Sequence, residues 1–145
     1  MRNILIVEDT DYCSDALEVA LADVAGIRIH SVATAEAALL WLHQNEVCAI
    51  VTDLHLAASA SSMDGFDFIA AVSSEPSRAA LPILVISGDP DPNTPARLVD
   101  LGVNAFFAKP YSPAAVRHKL EQLIDAIENN AVENPTFENN AVENA

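Results

Sequence analysis

ILIVED, residues 4–9, is a run of four apolar residues leading straight into two acids. A short continuous apolar run is the signature of a strand buried on both faces, which has no solvent side to alternate with. From residue 12 to residue 24 the period changes. Cys13, Leu17, Ala20, Leu21 and Val24 recur at helical spacing, Asp9 and Thr10 stand ahead as caps, and Gly26 ends the pattern. The couplet then repeats: residues 27–32 read as a strand, 34–44 as a helix with Leu39 and Leu42 inward, and 47–52 (VCAIVT) as a third strand. After an irregular stretch over 53–62, a helix is predicted over 64–74 and a fourth strand over 81–86, with Pro82 at its edge. A weaker helix over about 95–101, a strand over 103–107 and a helix over 112–127 close the series, the last with Val116, Leu120, Leu123, Ile124 and Ile127 as its apolar positions. Five strands alternating with five helices predict an α/β fold, a doubly wound parallel sheet covered on both faces by right-handed crossovers.

The 145 residues, 51% of them hydrophobic, suffice for one domain with a core that needs neither disulfides nor structural metal. Seven Lys and Arg stand against 21 Asp and Glu, a formal charge of −14, so the basic footprint of a nucleic-acid binder is absent and anionic lipid offers no attraction. Cys13 and Cys48 show no CxxC and no His at zinc-ligand spacing; they read as reduced thiols of an intracellular protein. No run approaches the roughly 18 apolar residues of a membrane span, and the first apolar run is too short for a signal peptide, so the expected location is the cytoplasm.

Doubly wound sheets place their sites at the carboxyl ends of the strands, where strand order reverses. Glu8 and Asp9 follow the first strand, Asp53 the third, Ser87 the fourth and Lys109 the fifth. Nothing ionisable follows the second strand until Glu36, which fits an edge position. Three carboxylates on one rim repel one another, so at neutral pH one holds a proton or a cation neutralises them. An oxygen-only set suits Mg2+, which takes one or two carboxylates, a backbone carbonyl and several waters. Lys109, one of two lysines and followed by Pro110, adds a second positive charge. Together these groups make a phosphoryl site, since phosphoryl transfer requires mainly positioning and neutralisation of oxygens. Asp53, central in the set, is the candidate nucleophile.

Five motifs, IVED at 6–9, VTDL at 51–54, MDGFDFI at 63–69, ISG at 86–88 and FFAKP at 106–110, together resemble the receiver domain of two-component response regulators, in particular the stand-alone, chemotaxis-regulator-like kind. Each is weak alone, but in register over about residues 2–127 of a (βα)5 pattern they are specific. The resemblance implies a flavodoxin-like, five-stranded sheet of order 2-1-3-4-5, with a receiver domain over 1–127 and a tail over 128–145. It implies a phosphorylation switch, not an enzyme, in which Asp53 accepts a phosphoryl group from a histidine kinase or phosphotransfer protein. Asp9 and Asp53 would hold Mg2+ together with the backbone carbonyl of His55, with Glu8 acting chiefly through water. Lys109 would bridge to the carboxylate and then to the phosphoryl oxygen; Ser87 would move in to hydrogen-bond the phosphoryl group; Phe106 would turn inward behind it. Pro110 would follow a cis peptide bond, which proline makes inexpensive. Output would pass through about residues 95–127 to a downstream protein or to a second copy in a homodimer.

The chain departs from the family pattern in places. The loop LHLAASASSM at 54–63 lacks the usual proline and runs long, and Phe106 stands where tyrosine is commoner. His55 and Asp89 fall at two variable positions that flank the path of the hydrolytic water, so phosphoryl lifetime is expected to depend on both.

Plainer readings stand beside these. Glu8 and Asp9 also suit a helix cap, Asp53 an Asx turn, Ser87 with Gly88 a simple turn, and Lys109 a solvated surface. Phe106 and Phe107, as strand neighbours, point to opposite faces, which predicts one in the core and one half-exposed. His30, His43, His118 and Trp41 carry no functional expectation. From residue 128 the text turns repetitive: ENNAVEN at 128–134 recurs at 138–144, with four Glu and no Lys or Arg, leaving −10 for the rest. Such a segment reads as a disordered tail or a docking peptide. Three rival functions remain: a degenerate receiver that binds partners without phosphorylation, a Mg2+-dependent aspartyl-phosphate phosphohydrolase, and a piece of a longer kinase or transcription factor. The phosphohydrolase needs a second Asp two residues after the nucleophile, where this chain has His55.

Overall fold

A computed structural model describes residues 2–55, 63–78, 80–88, 91–128 and 136–138. Strands β1 (Arg2–Val7), β2 (Ile27–Val32), β3 (Ala49–Asp53), β4 (Ile83–Ser87) and β5 (Ala105–Ala108) alternate with helices α1 (Asp11–Leu21), α2 (Ala35–Gln44), α3 (Gly65–Ser73), α4 (Thr94–Asp100) and α5 (Pro113–Glu128). These strands run parallel in the order β2-β1-β3-β4-β5, with β2 at an edge as its ending suggested. The flavodoxin-like doubly wound arrangement is therefore as expected. Most of the long loop, residues 56–62, and Asp89 lie outside the described residues, and so do the expectations placed on them.

The five strands stand as expected, and one short strand is added at their edge. A sixth strand, β6 (Thr136–Glu138), pairs parallel with the outer edge of β5. Three residues inside a polar repeat have no readable periodicity; what brings them into the sheet is the open backbone of the AFFA edge at β5. The same pairing corrects the expectation for the two phenylalanines. They do face opposite sides, but both are buried, Phe106 at 3% exposure and Phe107 at 2%, with Phe137 of β6 packed at the edge of the cluster that holds Phe106.

Every residue of β3 and of β4 is buried, which explains why these segments read as unbroken apolar runs. The sheet carries one cluster on each face. Leu17 and Leu21 of α1 and Val116, Leu120 and Leu123 of α5 cover Ile4, Ile6, Val51, Leu84, Ile86 and Phe107. On the other face Ala38 and Leu42 of α2, Phe68 and Val72 of α3 and Leu98 of α4 cover Leu5, Val7, Ile50, Val85 and Phe106. Helix starts obey their local chemistry. The Thr34 hydroxyl accepts from the Ala37 N–H at 3.1 Å, and at α3 Asp64 and Asp67 cap each other's backbone N–H groups reciprocally. Two strands run one residue further than the apolar pattern indicates, so that Asp53 ends β3 and Ser87 ends β4. The ladder continues through the polar residues because Asp53 is in register with Ile86 and Ser87 with Ala108. Both side chains are thereby held by sheet backbone rather than by a loop.

Candidate functional site

β1 delivers Glu8 and Asp9, β3 delivers Asp53, and β5 delivers Lys109, all to the carboxyl end of the sheet. One carboxylate oxygen each from Glu8, Asp9 and Asp53 lies within 4.8 Å of the other two. The Lys109 Nζ donates to Asp53 Oδ2 at 2.7 Å and stands 3.5 Å from Glu8 Oε2. Glu8 and Asp53 are each only 3% exposed, whereas Asp9 is half-buried and opens the cluster toward solvent. Backbone donors fix the carboxylates. The Thr10 N–H donates to Glu8 Oε1 at 3.1 Å and the His55 N–H to Asp53 Oδ1 at 3.0 Å. At the neighbouring strand end Ser87 is fully buried, and its carbonyl accepts from the Lys109 N–H at 2.8 Å, tying β4 to the lysine. The Lys109–Pro110 peptide bond is cis.

Charge in this pocket is unevenly balanced. Burial, followed by the negative charge of Asp53, pushes the Glu8 carboxyl up to about 7, and Lys109 offsets only part of that. Glu8 Oε2 is buried without a hydrogen-bond partner among the described residues, its only facing cation being Lys109 at 3.5 Å. A buried carboxylate oxygen left in that state is costly, and a hard cation satisfies it. The donors are all oxygens, close-set, with one flank open, which fits Mg2+ with part of its hydration retained.

Two residues that position this site carried no role in the sequence reading. Gly65, at the start of α3, donates its N–H to the Leu54 carbonyl at 2.9 Å. A Cβ there would stand 2.4 Å from Leu54 Cα and 2.6 Å from the Asp53 carbonyl oxygen, so only glycine lets α3 begin directly behind the acid. The motif MDGFDFI contains it, but nothing in the residue types reveals the close approach. Thr52, fully buried, donates its hydroxyl to the Asp53 carbonyl at 2.9 Å and so holds the end of β3. Of the remaining expected residues, exposed His55 contributes the backbone donor just described, and Phe106 lies on the α4 side of β5 with its ring 6.2 Å from that of Phe137. His30 and Trp41 stack on each other at 4.7 Å on the β2 side, away from the site. Cys48 is a free thiol, pushed up by burial.

Fold and pocket define a class: a flavodoxin-like α/β domain whose strand ends present three acids and a lysine. Residues 4–121 match the family model of the response regulator receiver domain, and the chain belongs to that family. Among curated relatives it is similar to the chemotaxis protein CheY of Pseudomonas aeruginosa, at 23% identity over 124 residues, covering 86% of this chain and 97% of that one. Solved structures agree. A putative response regulator from Chloroflexus aurantiacus superposes with a TM-score of 0.75 at 27% identity, over 86% of this chain and 98% of the other. The chemotaxis response regulator CheY4 of Vibrio cholerae does so with a TM-score of 0.73 at 23% identity, over 85% and 98%. Among the described residues no helix is long and apolar enough to cross a membrane.

Proposed function

We propose that the protein is a phosphoacceptor switch: Asp53 takes a phosphoryl group from a histidine kinase or a phosphotransfer protein, and the modified form engages a downstream protein. The observation that carries this reading is the 2.7 Å contact between Lys109 Nζ and Asp53 Oδ2 inside a rim of three acids at the strand ends. In the transfer the donor's N–P bond breaks as a bond forms between an Asp53 carboxylate oxygen and phosphorus, and the departing imidazole takes its proton from solvent. No oxidant or further co-reactant is needed. Glu8, Asp9 and Asp53, with the His55 carbonyl, would hold Mg2+, which supplies positive charge to the phosphoryl oxygens. The chain's own groups do the rest. The His55 N–H and Lys109 orient the carboxylate, Lys109 remains to meet a phosphoryl oxygen, and Ser87 at the end of β4 offers a hydroxyl beside it.

Output through about residues 95–127 is consistent with Val99, an apolar side chain 52% exposed on α4. No observation favours the phosphohydrolase: the position its general acid would occupy is His55, whose role here is a backbone donor. Borohydride reduction after treatment with acetyl phosphate and Mg2+ tests the assignment, because it converts an aspartyl phosphate to homoserine. The expected product is homoserine at position 53; recovery of unmodified aspartate there, with a control receiver converted, would overturn the reading. The lifetime of the modified form is expected to change in His55→Ala and in Asp89→Ala, and decay at the parental rate in both would refute a part for either side chain.

A further inference from the structure

β6 differs from the other strands in more than its length. α1 carries the chain from β1 outward to β2 across one face of the sheet, and α2, α3 and α4 carry it the opposite way across the other, so four crossovers share one hand. α5 lies on the α1 face, yet β6 lies beyond β5, in the direction taken by α2, α3 and α4. The β5–α5–β6 connection therefore has the reverse hand, which parallel crossovers almost never adopt. A strand reached that way is not a sixth member of the fold. It is an extended segment laid on an open edge.

The seating is nevertheless specific. Thr136, Phe137 and Glu138 register with Ala105, Phe106 and Phe107, and the Phe137 ring lies 6.2 Å from that of Phe106 at an interplanar angle of 25°. Phe137 is half-buried and Phe106 almost wholly so. Phe106 sits three residues before Asp53-bound Lys109, with Phe107 and Ala108 between them. Eight Cα steps separate Glu128 from Thr136, a reach of at most about 29 Å for a fully extended chain.

We infer that the β5 edge is a strand-docking surface whose built-in ligand is the chain's own Thr136–Glu138, and that this ligand is a removable plug linked to the state of Asp53. Backbone pairing supplies its affinity and one aromatic side chain its specificity, the pattern of strand addition. While the plug is seated, Phe137 restrains Phe106 and covers the edge that an extended segment of a partner would use. The docking stands on the geometry alone; its link to Asp53 rests on the function proposed above.

Hydrogen exchange on the full chain tests both parts. In the parent, amides of β5 and β6 should be protected, and Phe137→Ala should speed their exchange at least tenfold while α1 and β1 keep parental rates. Equal protection in parent and variant would overturn the docking. Protection in the parent should persist on dilution; loss at low concentration would show that the segment comes from a second copy, and would overturn the plug in cis. Beryllofluoride with Mg2+, a stand-in for the phosphoryl group, should release β6 in the parent. Bound beryllofluoride, seen by fluorine NMR, with β6 protection unchanged would overturn the link to Asp53. Absence of bound beryllofluoride would count instead against the phosphoacceptor reading and the link with it, while the dilution and Phe137→Ala arms still decide the docking.

Discussion

Glu8 is the residue on which the electrostatics of the pocket turn. Burial, and then the neighbouring charge of Asp53, pushes its carboxyl up to about 7 from an ordinary value of 4.5. Between those values the folded chain binds a proton that the unfolded chain has lost, so this group's contribution to stability declines as pH rises from about 4.5 to 7. In EDTA, Glu8→Gln should therefore flatten the fall in Tm between pH 5 and pH 8; an identical fall in parent and variant would show that Glu8 ionises normally. A cation reverses the balance by favouring the charged form. Mg2+ affinity should accordingly strengthen as pH rises from 6 to 8, with proton release on binding below about 7, and calorimetry in two buffers of different ionisation enthalpy measures it.

At the scale of elements, the start of α3 both caps a helix and backs the acid. Asp64→Ala removes the reciprocal cap with Asp67 and should cost about 1 kcal/mol in denaturant unfolding while leaving phosphoryl uptake near the parental rate. Gly65→Ala is different in kind. Its Cβ would collide with backbone at Leu54 and Asp53, which cannot swing away as a side-chain tip can, so a loss of about 1–3 kcal/mol should come with slowed phosphoryl uptake. Equal effects of the two substitutions on uptake would mean that Gly65 serves the helix alone. Elements also show where sequence reading succeeded. β3 and β4 announced themselves because strands covered on both faces are apolar at every position, and the acids and the lysine were found because they sit where those runs stop. Gly65 escaped because a close approach between distant backbones leaves no trace in residue type. β6 escaped because three residues cannot show a period, and the edge they pair with belongs to β5, far away in sequence.

Over the whole molecule, one sheet organises everything. Its carboxyl rim gathers Glu8, Asp9, Asp53 and Lys109, while its β5 edge carries Phe106 and the segment laid against it. The rim and the edge share β5, so a change at Lys109 has a path of only a few residues to the surface where partners would bind. That arrangement is what a phosphorylation-controlled contact requires: a charge change at one place and a two-state element beside it. The central claim is that Asp53 accepts the phosphoryl group with the help of Mg2+. Intact mass after incubation with acetyl phosphate, with and without Mg2+, tests it most directly when the parent is run beside Asp53→Asn. A gain of one phosphoryl group that needs Mg2+ and is absent from Asp53→Asn is the predicted result. No gain in the parent where a control receiver reacts, or an equal gain in Asp53→Asn, would contradict the account.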